Sequence, residues 1–549
     1  MDEGKESERS GVDGSQPALF VIGKGPDLKP YKTVRLAVSG DVSLCRLETA
    51  IVDTRDFQRL RRIKQLGATE LVYPTALHTR FDHSLGTLSM ASEMVRRIRE
   101  NKHNSEEERQ IPQEDEQLIR CLALLHDIGH VPYGHTIEDE FCIFPRHDKD
   151  EERTSRFLGK DSPIGRILVE NLGNDLYERF MRIYKADKTH LEDLREDLYI
   201  HDLVNNTVCA DLLDYLRRDC FFCNIVLDME YRFLKYLYLS KDGPVKRVVV
   251  RLWKEGRPHP RRDVLSELIR LLDNRYLLGE RVYFHHTKLI AGTMIAGAVQ
   301  RAKTEGQLTK TELLDMGDES LLDKLEKSKS AAAKKLVSRI RSRNLWKRVH
   351  EHTRSTVEAE QNELRDIDVM QNIMRKWWES PQYRTEDEDN LASAVDLESG
   401  DVLFHCPDSE MAMKLAEMKV FWNGKLRPLA QCTDDPVVGP KLEVILKSHL
   451  SLWAIRVFAN PSYPEKADAI VGGCQRLFTF LPDAKARFGR LFYKNMVGSL
   501  VRSLGLSNGL LHDEFEKREG AAIQTLLADT SAIRDRATIT KIIKDAFTR

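Results

Sequence analysis

Apolar residues recur every three or four positions over much of this chain. The period is clear from about residue 49 to 218, as in Phe57, Leu60 and Ile63, and it predicts a run of helices. It resumes at Asp263 and continues through the basic segment 301–351. These two regions are therefore predicted to be mainly helical.

Shorter apolar runs predict strands between and after the helices. Residues 32–47 alternate loosely and predict a short hairpin, and Val245 to Leu252 predicts one strand. The acidic segment 104–116 is predicted to be a solvated loop. Three further apolar runs, each bounded by Gly, Pro or Asp, predict strands at residues 401–406, 418–422 and 453–459.

These patterns predict a mainly α fold, with a helical core, short β-hairpins and a smaller α/β C-terminal lobe. Residues 1–30 are polar and rich in Gly and Ser, and we expect a disordered or extended leader there. The helical domain is predicted to span residues 31–360. The lobe, with a helical tail, is predicted to span residues 361–549.

Composition excludes several classes of protein. The chain has 549 residues, 41% hydrophobic and 31% charged, and its 85 basic residues nearly balance its 86 acidic ones. This balance does not favour constitutive nucleic-acid binding, but it does not exclude a local basic cleft. The nine scattered cysteines indicate reduced thiols rather than a disulfide framework. With no signal peptide or membrane-spanning run in the sequence, we expect a cytoplasmic protein without membrane contact.

The stretch 122–135 carries the clearest chemical signal. An apolar helical run delivers His126 and Asp127 side by side, and glycines and a proline then end the helix. The His-Asp dipeptide occurs four times in the chain, but only this copy has an apolar helix before it and glycines after it. Histidine and aspartate at the end of a buried helix favour a metal site.

Two other predicted helices offer ligands to the same metal. His83 lies in the first turn of one of them, and Asp211 opens the other. Tyr215 and Asp219 follow Asp211 at four-residue intervals and share its helix face. Two imidazoles and two carboxylates from three helices suit a divalent ion such as Fe, Mn, Zn or Mg, with positions left for water and substrate.

The ordered motifs 80–83, 125–130 and 211–215 resemble those of the HD-domain phosphohydrolases, and most closely the deoxynucleoside triphosphate triphosphohydrolases. The likeness also takes in the segment 53–67 and covers residues 32–350 well and the last third loosely. It implies a metal held by His83, His126, Asp127 and Asp211. It further implies His130, and His147 oriented by Asp148, as catalytic residues. Because the leader is short, we expect no SAM domain.

The resemblance also implies a substrate pocket for a deoxynucleoside triphosphate. Arg80 and Arg275 match phosphate-binding arginines, and His135 is a further candidate for phosphate contact. The sugar and base side would be formed by Gln65, Leu66, Tyr215, Asp219 and Tyr283. Two positions depart from the family: Leu212 stands where a lysine is common, and Phe284 where a glutamine near the base is common.

A regulatory site is implied as well, in which GTP or a dNTP binds between subunits of a homo-oligomer, either a dimer or a tetramer. The matching residues are Asp53, Gln58, Arg61, Arg343 and Lys347. Arg232 and Arg251 fall near an adjoining effector position. The hairpin segment 35–40 departs from the family pattern, which leaves the identity of the effector open.

The leading hypothesis is hydrolysis of dNTPs to deoxynucleoside and inorganic triphosphate, in dNTP pool control or antiviral dNTP depletion. One alternative is a nuclease or nucleotide phosphodiesterase on the same metal scaffold, which would favour a basic groove lined by aromatic residues. Another is a nucleotide-sensing scaffold without catalysis. The presence of all four predicted ligands and both histidines favours an enzyme.

Overall fold

A computed structural model of the chain describes its helical core and most of its C-terminal region. The described residues are 27–102, 104–186, 191–227, 229–253, 260–353, 375–408, 418–478 without 423, 434 and 437, and 512–548 without 529–535, together with four residues between 497 and 506. Nearly all of the predicted leader lies outside them.

A hairpin and a set of helices form the N-terminal half. The hairpin joins β1 (Lys32–Leu36) to β2 (Gly40–Leu44) in antiparallel register, which confirms its prediction. The helices are α1 (Arg46–Val52), α2 (Arg55–Gln58), α3 (Arg80–Glu100), α4 (Glu106–Arg109), α5 (Gln113–Leu125), α6 (Glu151–Leu158), α7 (Pro163–Leu172), α8 (Asn174–Tyr184), α9 (Leu198–Asn205) and α10 (Ala210–Phe222).

The remaining helices follow after a pair of strands. They are α11 (Arg262–Leu278), α12 (His286–Thr304), α13 (Lys310–Leu313), α14 (Asp318–Glu326), α15 (Ala331–Arg341), α16 (Pro381–Ser393), α17 (Val438–Leu450), α18 (Ala467–Phe478), α19 (His512–Ala528) and α20 (Arg536–Thr548). Helix α12 is buried on most of its surface, including Leu289, Met294 and Val299, so it packs inside the core rather than on it.

Two small sheets complete the fold and confirm a mainly α protein with a smaller mixed region. One has the order β3 (Leu237–Asp242), β4 (Val245–Arg251), β7 (Lys419–Trp422), β8 (Lys425–Pro428). The other has the order β5 (Lys347–Thr353), β9 (Ala454–Ala459), β6 (Val402–His405). The parallel β4–β7 and antiparallel β5–β9 pairs both join residues on opposite sides of position 360. The boundary proposed there stays a prediction.

Three local predictions were wrong in detail. Residues 347–351 form strand β5 rather than helix, because α15 ends at Arg341 and Arg343 adopts a left-handed φ of 53° that turns the chain towards β9. Strand β3 was missed beside β4. The acidic segment 104–116 contains the helical turn α4 and the start of α5, because Ser105 caps α4 with its hydroxyl.

No helix among the described residues is both long enough and apolar enough to cross a membrane.

Candidate metal centre and active site

Three helix ends bring the four predicted metal ligands together. Thr79 caps α3 and places His83 in its first turn. Helix α5 ends at Leu125, so His126 and Asp127 follow directly after its last turn. Asp211 lies in the first turn of α10. Because the ligands lie at the ends of three helices, their side chains can approach one another at one place.

The ligand atoms face one another at distances typical of a coordination shell. His83 Nε2 lies 3.0 Å from Asp211 Oδ1 and 3.2 Å from His126 Nε2. His126 Nε2 lies 3.5 Å from Asp127 Oδ1 and 3.7 Å from Asp211 Oδ1. Ligands at about 2.1 Å from one ion are separated by about 3 Å when they are neighbours around it. His83, His126 and Asp211 therefore fit a single divalent cation, and Asp127 lies beside them in a second cluster with His130 and His147.

The other ring nitrogens make the case for a cation stronger. His83 Nδ1 lies 2.9 Å from Asp214 Oδ2, and His126 Nδ1 lies 2.8 Å from the carbonyl oxygen of Ala123. Both partners only accept hydrogen bonds, so both Nδ1 atoms carry the proton and both Nε2 atoms present lone pairs to each other. Burial lowers the pKa of His83, but its hydrogen bonds with Asp211 and Asp214 raise it to about 10, because these carboxylates favour a positive charge at the ring. A bound cation would supply that charge and leave Nε2 free to coordinate it.

Close packing of α3 against α10 supports His83 from behind. Asp214 also accepts two hydrogen bonds from the Arg218 guanidinium, each of 2.8 Å. A Cβ atom at Gly86 would stand 2.1 Å from both Asp214 Oδ1 and Arg218 Nη2. Only glycine fits there, because any side chain would displace the carboxylate that orients His83.

Arg80 lies against the metal site rather than in an open phosphate cleft. It is 1% exposed, and its Nη1 donates to Asp127 Oδ2 at 2.6 Å. Burial raises the pKa of the Asp127 carboxyl, but Arg80 and His126 hold it well below its usual range. Asp127 is therefore anionic and ready to bind a cation.

Glu138 joins the two predicted catalytic histidines and was missed in the sequence. Its Oε2 lies 3.1 Å from Nδ1 of His130 and 3.1 Å from Nδ1 of His147, and its Oε1 accepts from Arg153 at 2.6 Å. The two imidazole rings lie 3.5 Å apart. The arrangement is buried, and Arg59 supports it by donating to the carbonyl oxygen of His130 at 2.8 Å.

The two rings have opposite protonation tendencies. Burial, Arg80 and His147 lower the pKa of His130 to about 4. Burial also lowers the pKa of His147, but its hydrogen bond with Glu138 and the negative charges of Glu138, Asp148 and Asp127 together raise it. His130 Nε2 lies 3.3 Å from Asp127 Oδ1, which places this pair directly beside the metal ligands.

The role of Asp148 in orienting His147 stays a prediction, although its charge acts on the ring and raises the pKa of His147 after the larger effect of Glu138. The Asp148 carboxylate accepts two hydrogen bonds of 2.9 Å from Arg146, and the carboxylate against the His147 ring is that of Glu138. His135 is 49% exposed in its side chain and is paired with Asp139 at 2.6 Å, with its ring 4.7 Å from that of His130. It therefore lies at the mouth of the site.

The residues expected at the sugar lie on one side of the ligand set. Both carboxylate oxygens of Asp219 are engaged, one by His78 Nε2 at 2.8 Å and one by the Tyr283 hydroxyl at 2.6 Å. Tyr215 lies on the same α10 face as Asp211 and interacts electrostatically with Arg275. Gln65 and Leu66 are half-buried just before α3.

The predicted effector residues are not brought together in the same way. Asp53 pairs with Lys32 at 3.4 Å, and Arg61 donates to the Gln58 side chain at 2.8 Å. Arg343 donates to the carbonyl oxygen of Leu71 at 2.9 Å. Lys347 begins strand β5 with its side chain exposed.

A separate basic cavity lies behind the metal site. Its volume is about 670 Å³, and Asp214 lines it together with Arg217, Arg232 and Lys235. Arg251, the other residue near the adjoining effector position, is instead bound to Glu108 at 2.6 Å.

Asp214 and Glu138 had weak signals in the sequence. Asp214 stands three residues after Asp211, so it falls near the same helix face, but a helical aspartate beside an arginine at i+4 is more often a surface ion pair. Glu138 follows the His-Asp stretch closely, but its direction depends on the π-helical turn Thr136–Glu140, which no periodicity predicts.

Comparison with known proteins identifies the domain that holds this site. The HD domain family model matches residues 80–219, which contain all four candidate ligands, and the model of an HD-associated region matches residues 269–474. The chain therefore carries an HD domain, followed by a second region typical of proteins that contain one.

Curated relatives match the same part of the chain. An uncharacterized protein of Methanocaldococcus jannaschii is 31% identical over 319 residues, covering 58% of this chain and 59% of that protein. The deoxynucleoside triphosphate triphosphohydrolase SAMHD1 homolog of Dictyostelium discoideum is 29% identical over 347 residues, covering 60% of this chain and 62% of that protein. The match thus spans about three fifths of the length of these relatives.

A solved structure shares the fold. The crystal structure of a hypothetical protein from Aquifex aeolicus aligns with a TM-score of 0.54 at 22% identity, and it covers 80% of this chain and 99% of that one. At this identity the likeness concerns the fold alone.

Proposed function

We propose that this HD-domain chain is a metal-dependent phosphohydrolase that converts deoxynucleoside triphosphates to deoxynucleoside and inorganic triphosphate. The observation that carries the proposal is the convergence of His83, His126 and Asp211 on one point, with Asp127 beside them and next to a buried pair of histidines. Relatives named as triphosphohydrolases of deoxynucleoside triphosphates favour this substrate class.

The four ligands would hold one divalent cation, of Fe, Mn, Zn or Mg. When bound, such a cation polarises a phosphoryl oxygen and acidifies water at neutral pH. Asp214 would keep His83 in the tautomer that coordinates, and Arg80 would keep Asp127 anionic and correctly turned. The ligand side chains would thus be fixed before the cation binds, because Asp214 and Arg80 hold His83 and Asp127 in place.

Proton transfer in this proposal belongs to His130 and His147. His147 Nδ1 is hydrogen-bonded to Glu138, and His130 Nδ1 lies 3.1 Å from the same oxygen without hydrogen-bond geometry. The opposite nitrogens of His130 and His147 lie 3.3 Å and 4.0 Å from Asp127 Oδ1. An imidazole in this position can give a proton to the leaving oxygen of the nucleoside or take one from water. Glu138 would orient both rings through a single carboxylate oxygen.

The substrate would lie across the face formed by α10 and the residues before α3. Arg275 would meet the triphosphate, Arg80 would act on it through Asp127 and the cation, and His135 would stand at the entrance. Tyr215 would pack against C2′ of the sugar and exclude a ribose hydroxyl by contact, while Gln65 and Asp219 would hydrogen-bond the 3′-hydroxyl. Leu66 and Tyr283 would complete the pocket.

A product assay tests the proposal. The purified protein is incubated with Mn²⁺ and each dNTP, each NTP or a single-stranded oligonucleotide, and the products are separated. We expect inorganic triphosphate from dNTPs only, with the activity abolished in His126→Ala and retained in His512→Ala, which alters the same dipeptide outside the HD domain. Shortened oligonucleotide without triphosphate would support the nuclease alternative, and no product from any substrate would support a scaffold.

The proposal extends to regulation by a nucleotide in a homo-oligomer. The predicted effector residues are the exposed Asp53, Arg61, Arg343 and Lys347 and the half-buried Gln58. They offer a carboxylate for a guanine edge and cations for a triphosphate. An enzyme controlled in this way would suit dNTP pool control or antiviral dNTP depletion. Sedimentation with and without dGTP, GTP and dTTP tests it, and an unchanged mass and unchanged rate with every nucleotide would refute it.

A further inference from the structure

His78 is a buried histidine that the proposed mechanism does not use. It is 2% exposed and lies two residues before Arg80, on the segment that leads into α3. Its Nε2 lies 2.8 Å from Asp219 Oδ1, and the other oxygen of Asp219 accepts from the Tyr283 hydroxyl at 2.6 Å. Asp219 is thus the centre of a chain of hydrogen bonds drawn from three separate segments.

The proton on the His78 ring can be assigned from its surroundings. The ionised carboxylate of Asp219 only accepts hydrogen bonds, so Nε2 carries the proton. The opposite nitrogen, Nδ1, is buried and has no hydrogen-bond partner among the described residues. If the ring is neutral, Nδ1 carries only a lone pair without a hydrogen-bond donor near it. If the ring were doubly protonated, Nδ1 would be a buried N–H without an acceptor. His78 therefore acts as a fixed donor to Asp219.

The ring and its backbone are both held in place. Phe222, at the end of α10, stacks on the imidazole with ring centres 4.6 Å apart and planes 19° apart. The backbone N–H of Gln65 donates to the carbonyl oxygen of His78 at 3.0 Å. Gln65 Oε1 is also buried without a hydrogen-bond partner among the described residues. The Asp219 carboxylate and the Gln65 backbone are therefore both hydrogen-bonded to His78.

We infer that His78 is a positioning residue that fixes Asp219 for recognition of the 3′-hydroxyl of the substrate. This inference rests on the proposed function. A carboxylate offers about four lone-pair sites, and His78 and Tyr283 occupy one on each oxygen. These two donors set the plane of the carboxylate, and the sites left free accept the sugar hydroxyl. Without the donor at His78, Asp219 turns about its own side-chain bonds and the hydroxyl loses a defined acceptor.

Selectivity for the hydroxyl separates this role from a structural one. The measured quantity is the ratio of kcat/KM for a dNTP to that for the matching 2′,3′-dideoxynucleoside triphosphate. We expect the wild-type protein to favour the dNTP and His78→Asn, which is too short to reach Asp219, to lower that ratio about tenfold. His78→Gln can place an amide N–H near the position of Nε2, and we expect it to restore most of the preference.

Each outcome of this comparison bears on the inference. A folded His78→Asn variant, with unchanged metal content and an unchanged ratio, overturns it while the proposed function stands. A wild-type protein that hydrolyses neither substrate overturns both. If His78→Asn does not fold, His78→Phe is used instead, which keeps a ring stacked on Phe222 and removes the donor to Asp219. A lower ratio in that variant supports the inference, and an unchanged ratio overturns it.

Discussion

The metal centre and the predicted effector residues differ in how the chain supports them. At the metal centre, His83 and Asp127 are almost fully buried, and each is held by a further charged partner, Asp214 or Arg80. Among the effector residues, Asp53 is exposed and is paired with the exposed Lys32. One region is complete within a single chain, while the other has its charged groups turned to solvent.

The difference in burial and in charged partners bears on how each region would bind its ligand. Buried donors with fixed partners lose little freedom when a cation binds, so the HD site is organised in advance. Exposed ion pairs contribute about 0–1 kcal/mol each and do not fix a geometry. A nucleotide at the effector residues would therefore need a second surface to hold it, which agrees with the proposed homo-oligomer.

The largest expected effect comes from removing a metal ligand. Asp211→Asn weakens a donor that lies 3.0 Å from His83 Nε2. Because the cation contributes several kcal/mol to the reaction, we expect activity to fall about a thousandfold or more, together with loss of bound metal. Metal content by mass spectrometry and triphosphate release are measured together. Full activity with normal metal content would contradict the coordination.

A smaller effect is expected from the carboxylate behind His83. Asp214→Asn removes the anionic acceptor at His83 Nδ1 and the partner of Arg218, both of which are buried. We expect metal affinity to fall about 10- to 100-fold. Isothermal titration with Mn²⁺ measures the affinity, and circular dichroism checks the fold. Asp193→Asn, which alters an exposed carboxylate, is the control. Equal Mn²⁺ affinities in the two variants would contradict the claim that Asp214 supports His83 as a metal ligand.

The two carboxylates near the histidine pair are expected to differ. Glu138→Gln alters the oxygen that contacts both rings, whereas Asp148→Asn alters a partner of Arg146. We expect kcat to fall about 10- to 100-fold in Glu138→Gln, with metal content unchanged, because orientation of the acid-base groups is lost. The loss in Asp148→Asn is expected to be smaller. A larger loss in Asp148→Asn would support the role predicted from the sequence.

The smallest effect on the isolated chain is expected at the effector residues. Asp53→Ala removes an exposed ion pair with Lys32, so we expect the free energy of unfolding to change by less than about 0.5 kcal/mol. In the same variant we expect the nucleotide-dependent increase in sedimenting mass to be lost. A variant that still assembles on addition of GTP or dGTP would show that the effector lies elsewhere.

The sequence predicted the parts of the fold that depend on local period. The helices around the HD domain and the hairpin at residues 32–47 were found because their apolar spacing is regular. Strand β5 was missed because its basic residues read as a continued helix, and it forms only by pairing with β9, more than 100 residues later. Pairing at that distance leaves no local pattern.

The candidate site divides in the same way. The four ligands were predicted from short motifs and the family resemblance. The structure brings His83, His126 and Asp211 together and places Asp127 3.5 Å from His126. Three further groups support the site: Asp214 holds the ligand His83, Glu138 lies against the histidine pair, and His78 donates to Asp219. All three act through contacts between segments that the sequence does not show to be close. Spacing along the chain gives only a weak indication of such contacts.

The central claim is that this HD site cleaves the bond between the nucleoside and its triphosphate. The most direct test is a ³¹P NMR spectrum of a dNTP incubated with the metal-loaded protein, recorded beside the His126→Ala variant. We expect the dNTP signals to be replaced by those of intact inorganic triphosphate, and the variant to leave the dNTP unchanged. Appearance of a deoxynucleoside monophosphate with pyrophosphate, or of triphosphate at equal rates in both proteins, would contradict the claim.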